Sequence, residues 1–516
     1  MLTLQNEDAR TLYNRLEAER RPYVDRAEDC AKYTIPALFP QEGDNGSTTY
    51  DTPYQSMGAR GVNNLASKLL MALFPPNAAF FRLDVRDDVK QYFESAPDAK
   101  QEIEQKLVQQ EQITMNYIET NQIRVTLYEA LKQLVVSGNC LLFLPPAEGG
   151  IKLYRLNDYV IQRDAMGNVI QLVTVDHLAV ATLPAEVLAT ISANKNPSDA
   201  VEIYTHIWYD AKDDKYYSRQ ECEGKALQGY DGAYPATASP WIPLRLVKMD
   251  GESYGRSYVE EYLGDLKSLE TLQKAIVEAS AIAATILYLV NPNGVTQVRK
   301  LTKCKNGGFV PGKADDISTL SLNKSTDLSI AKATSEVLEM RLSYAFMLNS
   351  AVQRNAERVT AEEIRYVAGE LEDTLGGIYS LLSQELQLPL VNRLLLQLQS
   401  RGALANLPAN VVKPAVTTGV EALGRGHDFS KLTTFLQTIS QIPAATEVIN
   451  WGNIVRAIGS SCNIDTTGII KTAEEIQQEQ QQVMMQQMAQ QVAPDAMKSA
   501  MTNPDMLSGM SDMMAQ

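Results

Sequence analysis

The sequence predicts a mainly helical α+β protein in which a β-rich insert separates two helical parts. Apolar residues recur at helical spacing in the first third of the chain, and again after Ser257. Between them, from 151 to 249, short runs of Val, Ile, Tyr and Trp alternate with turn residues, as in antiparallel hairpins. The chain has 516 residues, 45% hydrophobic and 21% charged, which is typical of a globular protein of about three domains.

The first third predicts a series of helices followed by a strand. Pro22 lacks a backbone donor, so we expect one helix to end near Arg20 and another to begin after the proline. A further helix is opened by residues 51–53 and stops at Pro75 and Pro76. The remaining predicted elements are helices over 98–118 and 125–137 and a strand over 140–144.

The part of the chain from 257 to 348 predicts two helices that bracket a small excursion. The first helix covers 257–290 and contains Ala275, Ala279 and Ala283, whose small side chains allow close helix packing, either inside one chain or between subunits. The excursion covers 291–330, and helices resume at 331. Six Lys and Arg against three Asp give the excursion a charge of +3, while the remainder of the chain carries −18, from the total of −15.

Residues 349–359 predict a loop that contains Arg354 and Arg358. Thr360 and Glu363 then form the T-x-x-E capping box of a long helix. We expect this helix to run to about 399, with kinks near Gly376-Gly377 and near Pro389. The Gln- and Met-rich end of the chain predicts a helix through about 491 with a frayed terminus.

Charge and cysteine content exclude several classes of protein. A net charge of −15 repels phosphate backbones, which argues against a sequence-specific DNA-binding protein. The five cysteines are far apart and form no C-x-x-C pair, so they predict a reducing compartment with neither a disulfide framework nor a zinc site. The polar, acidic start lacks the layout of a secretory signal, and the sequence predicts no membrane-spanning segment.

Two strings have the spacing of catalytic motifs. Residues 251–255, GESYG, match the G-x-S-x-G of hydrolases around Ser253, but the only histidine later in the chain is His427, in a Gly-rich loop. Residues 307–313 have the spacing of a phosphate-binding loop ending at Lys313, but Ala314 replaces the Ser or Thr that would hold Mg²⁺. We therefore interpret both as structural and expect no enzyme, no cofactor and no metal, with a hydrolase using Ser253 as the alternative.

Several longer strings carry a resemblance to a known family. They are YTIP at 33–36, GARGVNNLASK at 58–68, DGESYGRS at 250–257, GDL at 264–266, FMLNSAVQR at 346–354 and ERVTAEEIRY at 357–366. In these strings the chain resembles the portal, or head-to-tail connector, proteins of T-seven-type short-tailed bacteriophages, the podoviruses. The resemblance extends from about Tyr13 to Gly426, and the end beyond Ser430 is dissimilar.

The resemblance implies the portal fold, with wing, stem, clip, crown and a C-terminal barrel helix. The wing would comprise 1–256 and, with the long helix, 360–429. The stem helices would be 257–290 and 331–348, the clip 291–330 and the channel loop 349–359. Residues 430–475 would form the crown, and 476–516 the barrel helix and tail.

The resemblance also implies a function: a ring, usually of twelve subunits, at one vertex of the capsid of the virion, assembled in the host cytoplasm. DNA would be packaged and ejected through its axis without sequence specificity. Expected partners are the terminase large subunit, a tail adaptor, the major capsid and scaffolding proteins, and internal core proteins. A capsid scaffold that never forms a channel is the alternative from another class.

Three groups of residues then become candidates for a role in the ring. Arg354 and Arg358 are expected to face the channel and its DNA. The clip residues Arg299, Lys300, Lys303 and Lys305 are expected to form a docking surface, although such charges are more often just a solvated face. Ala275, Ala279 and Ala283 are expected to pack between subunits.

Overall fold

The computed structural model describes residues 7–41, 44, 46–76, 79–85, 97–145, 150–188, 196–284, 287–296, 298–301, 303–305, 308–320, 325–348, 361–404, 412–416 and 437. The chain divides into two compact units, Met1–Leu423 and Gly424–Gln516. The helices and strands given below all belong to the first unit.

Four helices form the first half of this unit: α1 (Ala9–Lys32), α2 (Met57–Leu73), α3 (Pro97–Thr120) and α4 (Ile123–Ser137). Their apolar faces supply much of the main core, in which Leu65, Leu69 and Leu127 are fully buried. Gly138 ends α4 in the left-handed conformation, with φ of +74°, which a glycine adopts without steric cost. The chain thus turns directly from α4 into the first strand of a sheet.

Two small sheets lie beside these helices. Strand β1 (Phe81–Val85) pairs antiparallel with β13 (Val412–Val416). Strand β2 (Asn139–Phe143) lies in the centre of a three-stranded antiparallel sheet, between β3 (Lys152–Tyr154) and β10 (Trp241–Arg245). Residues 139–142 of β2 are buried on both faces, which explains why this strand reads as a continuous apolar run.

A six-stranded antiparallel sheet forms the β-rich insert. Its strands are β4 (Tyr159–Arg163), β5 (Val169–Ala179), β6 (Ala200–Asp210), β7 (Lys215–Cys222), β8 (Lys225–Ala226) and β9 (Gly232–Pro235), with the short helix α5 (Ala185–Leu188) between β5 and β6. The start of α1 packs on one face of this sheet, where Leu12, Tyr13 and Leu16 meet Val173 and Tyr204.

A buried arginine ties α1 to the sheet. Arg20 is 5% exposed, and its Nη1 donates to the Tyr13 hydroxyl (2.7 Å) and to the carbonyls of Asn157 (2.6 Å) and Tyr159 (3.0 Å). A buried guanidinium is stable only when such acceptors surround it. Helix α1 and the β-rich insert are therefore held together by directional bonds as well as by apolar contact.

The described residues after 257 are mainly helical, apart from one hairpin and strand β13. The long helix α6 (Tyr258–Ala284) leads to strand β11 (Leu287–Val290), which pairs with β12 (Ile317–Leu320) after the short helix α7 (Val298–Leu301). Helix α8 (Ser325–Ala345) follows. Helix α9 (Ala361–Leu382), a π-helical turn (Ser383–Gln387) and α10 (Leu388–Ser400) complete the series.

Most predicted elements are confirmed. Helices α3 and α4, strand β2 and the hairpin turns at 166–168 and 211–214 lie where the sequence places them. The kink predicted near Gly376-Gly377 is confirmed, since Leu375 has the non-helical torsions φ −123° and ψ 20°. Pro389 is the second residue of α10, in the first turn, where its missing donor costs little.

Several predicted boundaries were wrong. Helix α2 begins at Met57 instead of at 51–53, and α8 begins at Ser325 instead of at 331. Helix α1 continues through Pro22, because Leu16 and Arg20 before the proline and Val24 and Ala27 after it keep one buried face. The helix predicted over 257–290 ends at Ala284 instead, because Leu287–Val290 pairs with Ile317–Leu320. A run of four apolar residues does not by itself distinguish a strand from continued helix.

The predicted loop 349–359, the crown, 430–475, and the C-terminal helix lie outside the described residues. None of the described helices is long and apolar enough to cross a membrane. Of the cysteines, Cys30, Cys140 and Cys222 are buried free thiols and Cys304 is an exposed one.

Candidate assembly and docking surfaces

Helices α6 and α8 form an antiparallel pair. The amide of Gln273 donates to the Ser335 hydroxyl (2.8 Å) and to the Glu339 carboxylate (2.9 Å), and Arg341 lies 3.1 Å from Asp265. As residue numbers fall along α6 they rise along α8, which is the arrangement expected for two helices that bracket an excursion.

The end of the pair at which α6 begins and α8 ends is anchored in the main core. Leu266 and Leu269 of α6 and Leu342 of α8 are fully buried, as is Phe346 just beyond α8. The hydroxyl of Tyr258 donates to the carbonyl of Ala345 (2.8 Å). This end of the pair is therefore rigidly attached to the rest of the subunit.

The other end of the pair is largely uncovered. From 271 to 282 every side chain of α6 is exposed or half-buried. Nine of the sixteen exposed large hydrophobic side chains among the described residues fall between 277 and 344. An exposed apolar surface concentrated in one part of a protein marks an interaction site.

The predicted packing alanines are spaced four residues apart and so lie along one face of α6. Ala275 is exposed and Ala279 is half-buried. The side chain of Ala283 lies outside the described residues. A role of these alanines between subunits stays a prediction.

The excursion is an ordered hairpin at its base. Beyond β11 and β12, Asp316 accepts hydrogen bonds from the backbone N–H (3.1 Å) and the hydroxyl (2.8 Å) of Thr296. These bonds hold the pKa of Asp316 below its ordinary value. The carbonyl of Asp316 accepts from the N–H of Asn291 (2.9 Å), so the two arms of the excursion are joined.

The four predicted docking residues are all exposed. Arg299 and Lys300 lie in α7, and Lys303 and Lys305 lie in the segment that follows. Sequence reasoning did not single out Phe309, whose side chain is fully exposed next to this cluster in the chain. The excursion therefore presents both cations and an aromatic ring to solvent.

Comparison with known proteins shows which family this arrangement belongs to. Residues 6–470 match the model of the bacteriophage head to tail connecting protein family. The chain is 51% identical to the portal protein of Escherichia phage T7 over 485 residues, which cover 92% of this chain and 90% of that protein. It is also 51% identical to the portal protein of Enterobacteria phage T3 over 482 residues, again 92% and 90% of the two chains.

The chain belongs to the family of bacteriophage head-to-tail connecting proteins. More distant members extend the match: the portal protein of Enterobacteria phage SP6 is 32% identical over 478 residues, 91% of this chain and 90% of that one. Among solved structures, the neck of an empty gene transfer agent (GTA) particle aligns with 73% of this chain and 86% of its own, at 13% identity and a TM-score of 0.35. Similarity that low establishes nothing further about this chain.

The string at 58–68, which is one of those that resemble this family, has a structural role. The string lies on α2, and its Asn64 amide donates to the carbonyls of Phe346 (2.9 Å) and Met347 (3.0 Å). Lys68, which is 6% exposed, donates to the same Met347 carbonyl (3.1 Å). Carbonyls at the end of a helix lack intrahelical partners, and donors such as these stabilise them.

The glycines of the same string allow α2 to approach its neighbours. A Cβ on Gly61 would lie 2.5 Å from Cγ of Phe346, and a Cβ on Gly58 would lie 2.3 Å from the carbonyl oxygen of Tyr33. Sequence reasoning missed the clamp formed by Asn64 and Lys68. The available signal was the helical spacing of two polar residues, Asn64 and Lys68, each of which directly precedes a buried leucine, Leu65 or Leu69.

The GESYG string forms the turn into α6. Gly251 has φ of +80°, and a Cβ on Gly255 would lie 2.9 Å from the carbonyl oxygen of Gly138. Glu252 accepts two hydrogen bonds from Arg256 (2.6 and 2.9 Å) and one from the Tyr23 hydroxyl (2.7 Å). These bonds hold the pKa of Glu252 below its ordinary value and fix the start of the helix.

In the part of the chain that the structure describes, neither catalytic-looking string has the neighbouring residues or elements that its motif would require. The carbonyl of Ser253 accepts from Arg163 (3.1 Å), and His206 is a buried residue of β6 whose pKa burial lowers to about 4. Lys313 precedes a short turn and strand β12 instead of the helix that a phosphate-binding loop requires. His427 lies outside the described residues.

The predicted channel residues Arg354 and Arg358 also lie outside the described residues. Their role in the channel stays a prediction. The structure describes the chain before them as far as Leu348, just beyond the end of α8. That end is held at Ala345, Phe346 and Met347 by donors from α6 and α2.

Replacing Asn64 by Ala should loosen the end of α8. The two carbonyls lose their amide donors, which costs about 1–3 kcal/mol when the acceptors are buried. We expect hydrogen exchange at the amides of Phe346 and Leu348, measured by mass spectrometry or NMR, to become roughly ten-fold faster. The control is Asn63→Ala at the exposed neighbouring position, and equal exchange rates in the two variants would contradict the clamp.

Proposed function

We propose that the chain is the portal subunit of a short-tailed phage, which forms a ring of twelve copies at one capsid vertex. The observation that carries the proposal is the 51% identity to two portal proteins over nine-tenths of their length. Double-stranded DNA would pass through the ring during packaging and ejection. The ring would act in the virion at the junction of head and tail, after assembly in the host cytoplasm.

This proposal assigns each segment of the chain to one part of the portal. Residues 1–256 and 360–429 form the wing, and residues 257–290 and 331–348 form the stem. The excursion 291–330 forms the clip, and 349–359 forms the channel loop. Residues 430–475 form the crown and 476–516 the C-terminal barrel helix and tail.

The subunit acts without catalysis of its own in this proposal, and the terminase supplies the energy of packaging. A net charge of −15 suits a channel through which DNA slides, because each firm phosphate contact would act as a brake. The other proposed partners are a tail adaptor, the major capsid and scaffolding proteins, and internal core proteins.

The clip is the proposed docking surface for the terminase large subunit and later for the tail adaptor. Its basic residues are exposed within an otherwise acidic chain, so a ring gathers many copies of one positive segment at a single end. Like charges brought together in this way favour an acidic partner. A docking surface and a merely solvated face are both exposed. The salt dependence of docking distinguishes the two.

Reversing two of these charges should weaken docking. In rings of the variant Lys303→Glu with Lys305→Glu, we expect the dissociation constant for the terminase large subunit to rise about ten-fold at low salt and less at high salt. Light scattering or a surface-binding assay measures it. The control reverses Lys212, on the turn between β6 and β7, and Lys215, at the start of β7, which are both exposed. Equal affinities of the two variants at every salt concentration would leave the clip cations as a solvated face.

Arg354 and Arg358 are the proposed contacts to passing DNA. Twelve copies of a loop arginine would form a ring of charge that brushes phosphates and resists backward slippage. In particles carrying Arg354→Ala or Arg358→Ala, we expect the length and retention of packaged DNA to fall for at least one variant. Arg82→Ala, at a half-exposed site in β1, is the control. Full-length, stably retained genomes in both variants would assign these arginines to the structure of the loop.

A further inference from the structure

A cavity lies between the β-rich insert and the helical turn that precedes α10. Its volume is about 360 Å³, which is within the range of pockets that bind small molecules. One wall is formed by residues of β5, β6, β7 and β10, and the opposite wall by the π-helical turn Ser383–Gln387 and the start of α10. Turns of π-helix are rare and are frequently found at functional sites.

Much of the cavity wall is apolar. Leu172 and Ile207 are buried on the face of the six-stranded sheet that lies away from α1. Trp241 of β10 is 8% exposed, and Leu388 and Pro389 of α10 face it from the opposite wall. Apolar walls of this kind hold the apolar body of a ligand, while a few polar groups fix its orientation.

Arg163 brings a guanidinium to this cavity. Its N–H groups donate to the carbonyls of Ser253 (3.1 Å), Gly167 (2.9 Å) and Pro243 (3.1 Å). A guanidinium has five N–H donors, so two of them have no acceptor among the described residues. Burial, and then the nearby charge of Arg245, lower the pKa of Arg163 to about 10. The side chain therefore stays charged at neutral pH and has donors left for an anion.

Two more arginines lie close behind the cavity wall. Arg245 of β10 and Arg393 of α10 are each 3% exposed. Arg245 pairs with Glu385 of the π-helical turn, and Arg393 donates to the carbonyl of Ala238 (3.4 Å). Burial lowers the pKa of Arg393. The Nε atom of each of these two arginines has no hydrogen-bond acceptor within the described part of the chain.

The charges around the cavity do not balance. Among the described residues, Glu385 is the carboxylate that pairs with any of the three arginines, which leaves the group with a net charge of +2. Lys248 adds to it, since its Nζ lies 3.4 Å from where a Cβ on Gly167 would be. Asp164 is exposed, and its carboxylate already accepts from the N–H of Asn168 (2.7 Å). Excess buried positive charge is costly unless an anion pairs with it.

We propose that this cavity binds a small organic carboxylate with an aromatic or aliphatic body. The carboxylate accepts the two remaining N–H groups of Arg163 and offsets the excess positive charge. The apolar body packs against Ile207 and Trp241. A neutral ligand of the same shape leaves the charge uncompensated, and a cation increases it. The site lies within the proposed wing, outside the clip and the stem, so the proposal stands independently of the ring.

The binding test uses the full-length protein with cinnamate as the probe. Cinnamamide, which has the same shape and no charge, is the control. We expect saturable binding of cinnamate, measured by ligand-observed NMR or calorimetry, with a dissociation constant roughly ten-fold lower than that of cinnamamide. A lack of saturable binding would overturn the site, and equal affinities of the two compounds would overturn the ligand class.

A pair of variants at Asn392 tests the location of the site and its charge. Asn392 is a half-buried residue of α10 that lines the cavity. Asn392→Glu supplies a carboxylate from the protein itself, and Asn392→Gln is a neutral variant of nearly the same size. We expect the Glu variant to unfold at a higher temperature than the Gln variant and to bind cinnamate roughly ten-fold more weakly. An equal or lower unfolding temperature, or equal affinities, would contradict an anion site in this cavity.

A peptide distinguishes a free carboxylate from one that a protein segment carries. Acetyl-Phe-Asp-amide presents an aromatic ring and a carboxylate on a peptide backbone. We expect it to bind more weakly than cinnamate, because its backbone amides lose hydration in an apolar cavity. Tighter binding of the peptide, abolished by Asn392→Glu, would assign the cavity to another protein and overturn the small-molecule ligand.

Discussion

Helix α8 presents apolar side chains, among them Val337, Met340 and Tyr344, that its own chain does not cover within the described residues, and this constraint governs the rest of the molecule. Water contact with so much contiguous apolar surface is unfavourable, at about 25 cal/mol per Å². The intrachain contact with α6 already uses the opposite side of α8, through Gln273 and Ser335. Within the described residues, the exposed side has no intrachain partner.

Association through one helix pair requires that the pair keep its orientation relative to the subunit. Several independent contacts hold the pair in this orientation at the end where α6 begins and α8 ends. Phe346 is wedged against Gly61, Asn64 and Lys68 bind the last carbonyls beyond α8, and the Glu252–Arg256 network fixes the start of α6. The strings at 58–68 and 250–257, which carry part of the family resemblance, thus lie where the pair joins the core.

The sequence predicted the helical spacing, the hairpin turns and the family, because these depend on local periodicity and on long strings of residues. It did not predict that α6 ends at Ala284, since the pairing of Leu287–Val290 with Ile317–Leu320 is a contact across the excursion. It drew attention to the alanines of α6 but not to how exposed each of them is. The clamp by Asn64 and Lys68 was likewise invisible until the end of α8 was placed against α2.

Electron cryomicroscopy of the purified protein tests the central claim most directly, because it shows both the number of copies and the arrangement of α6 and α8. The account predicts a closed ring in which the α6–α8 pairs form one continuous layer around the axis. Particles of one or two copies, or a ring in which solvent separates neighbouring α6–α8 pairs, would contradict it.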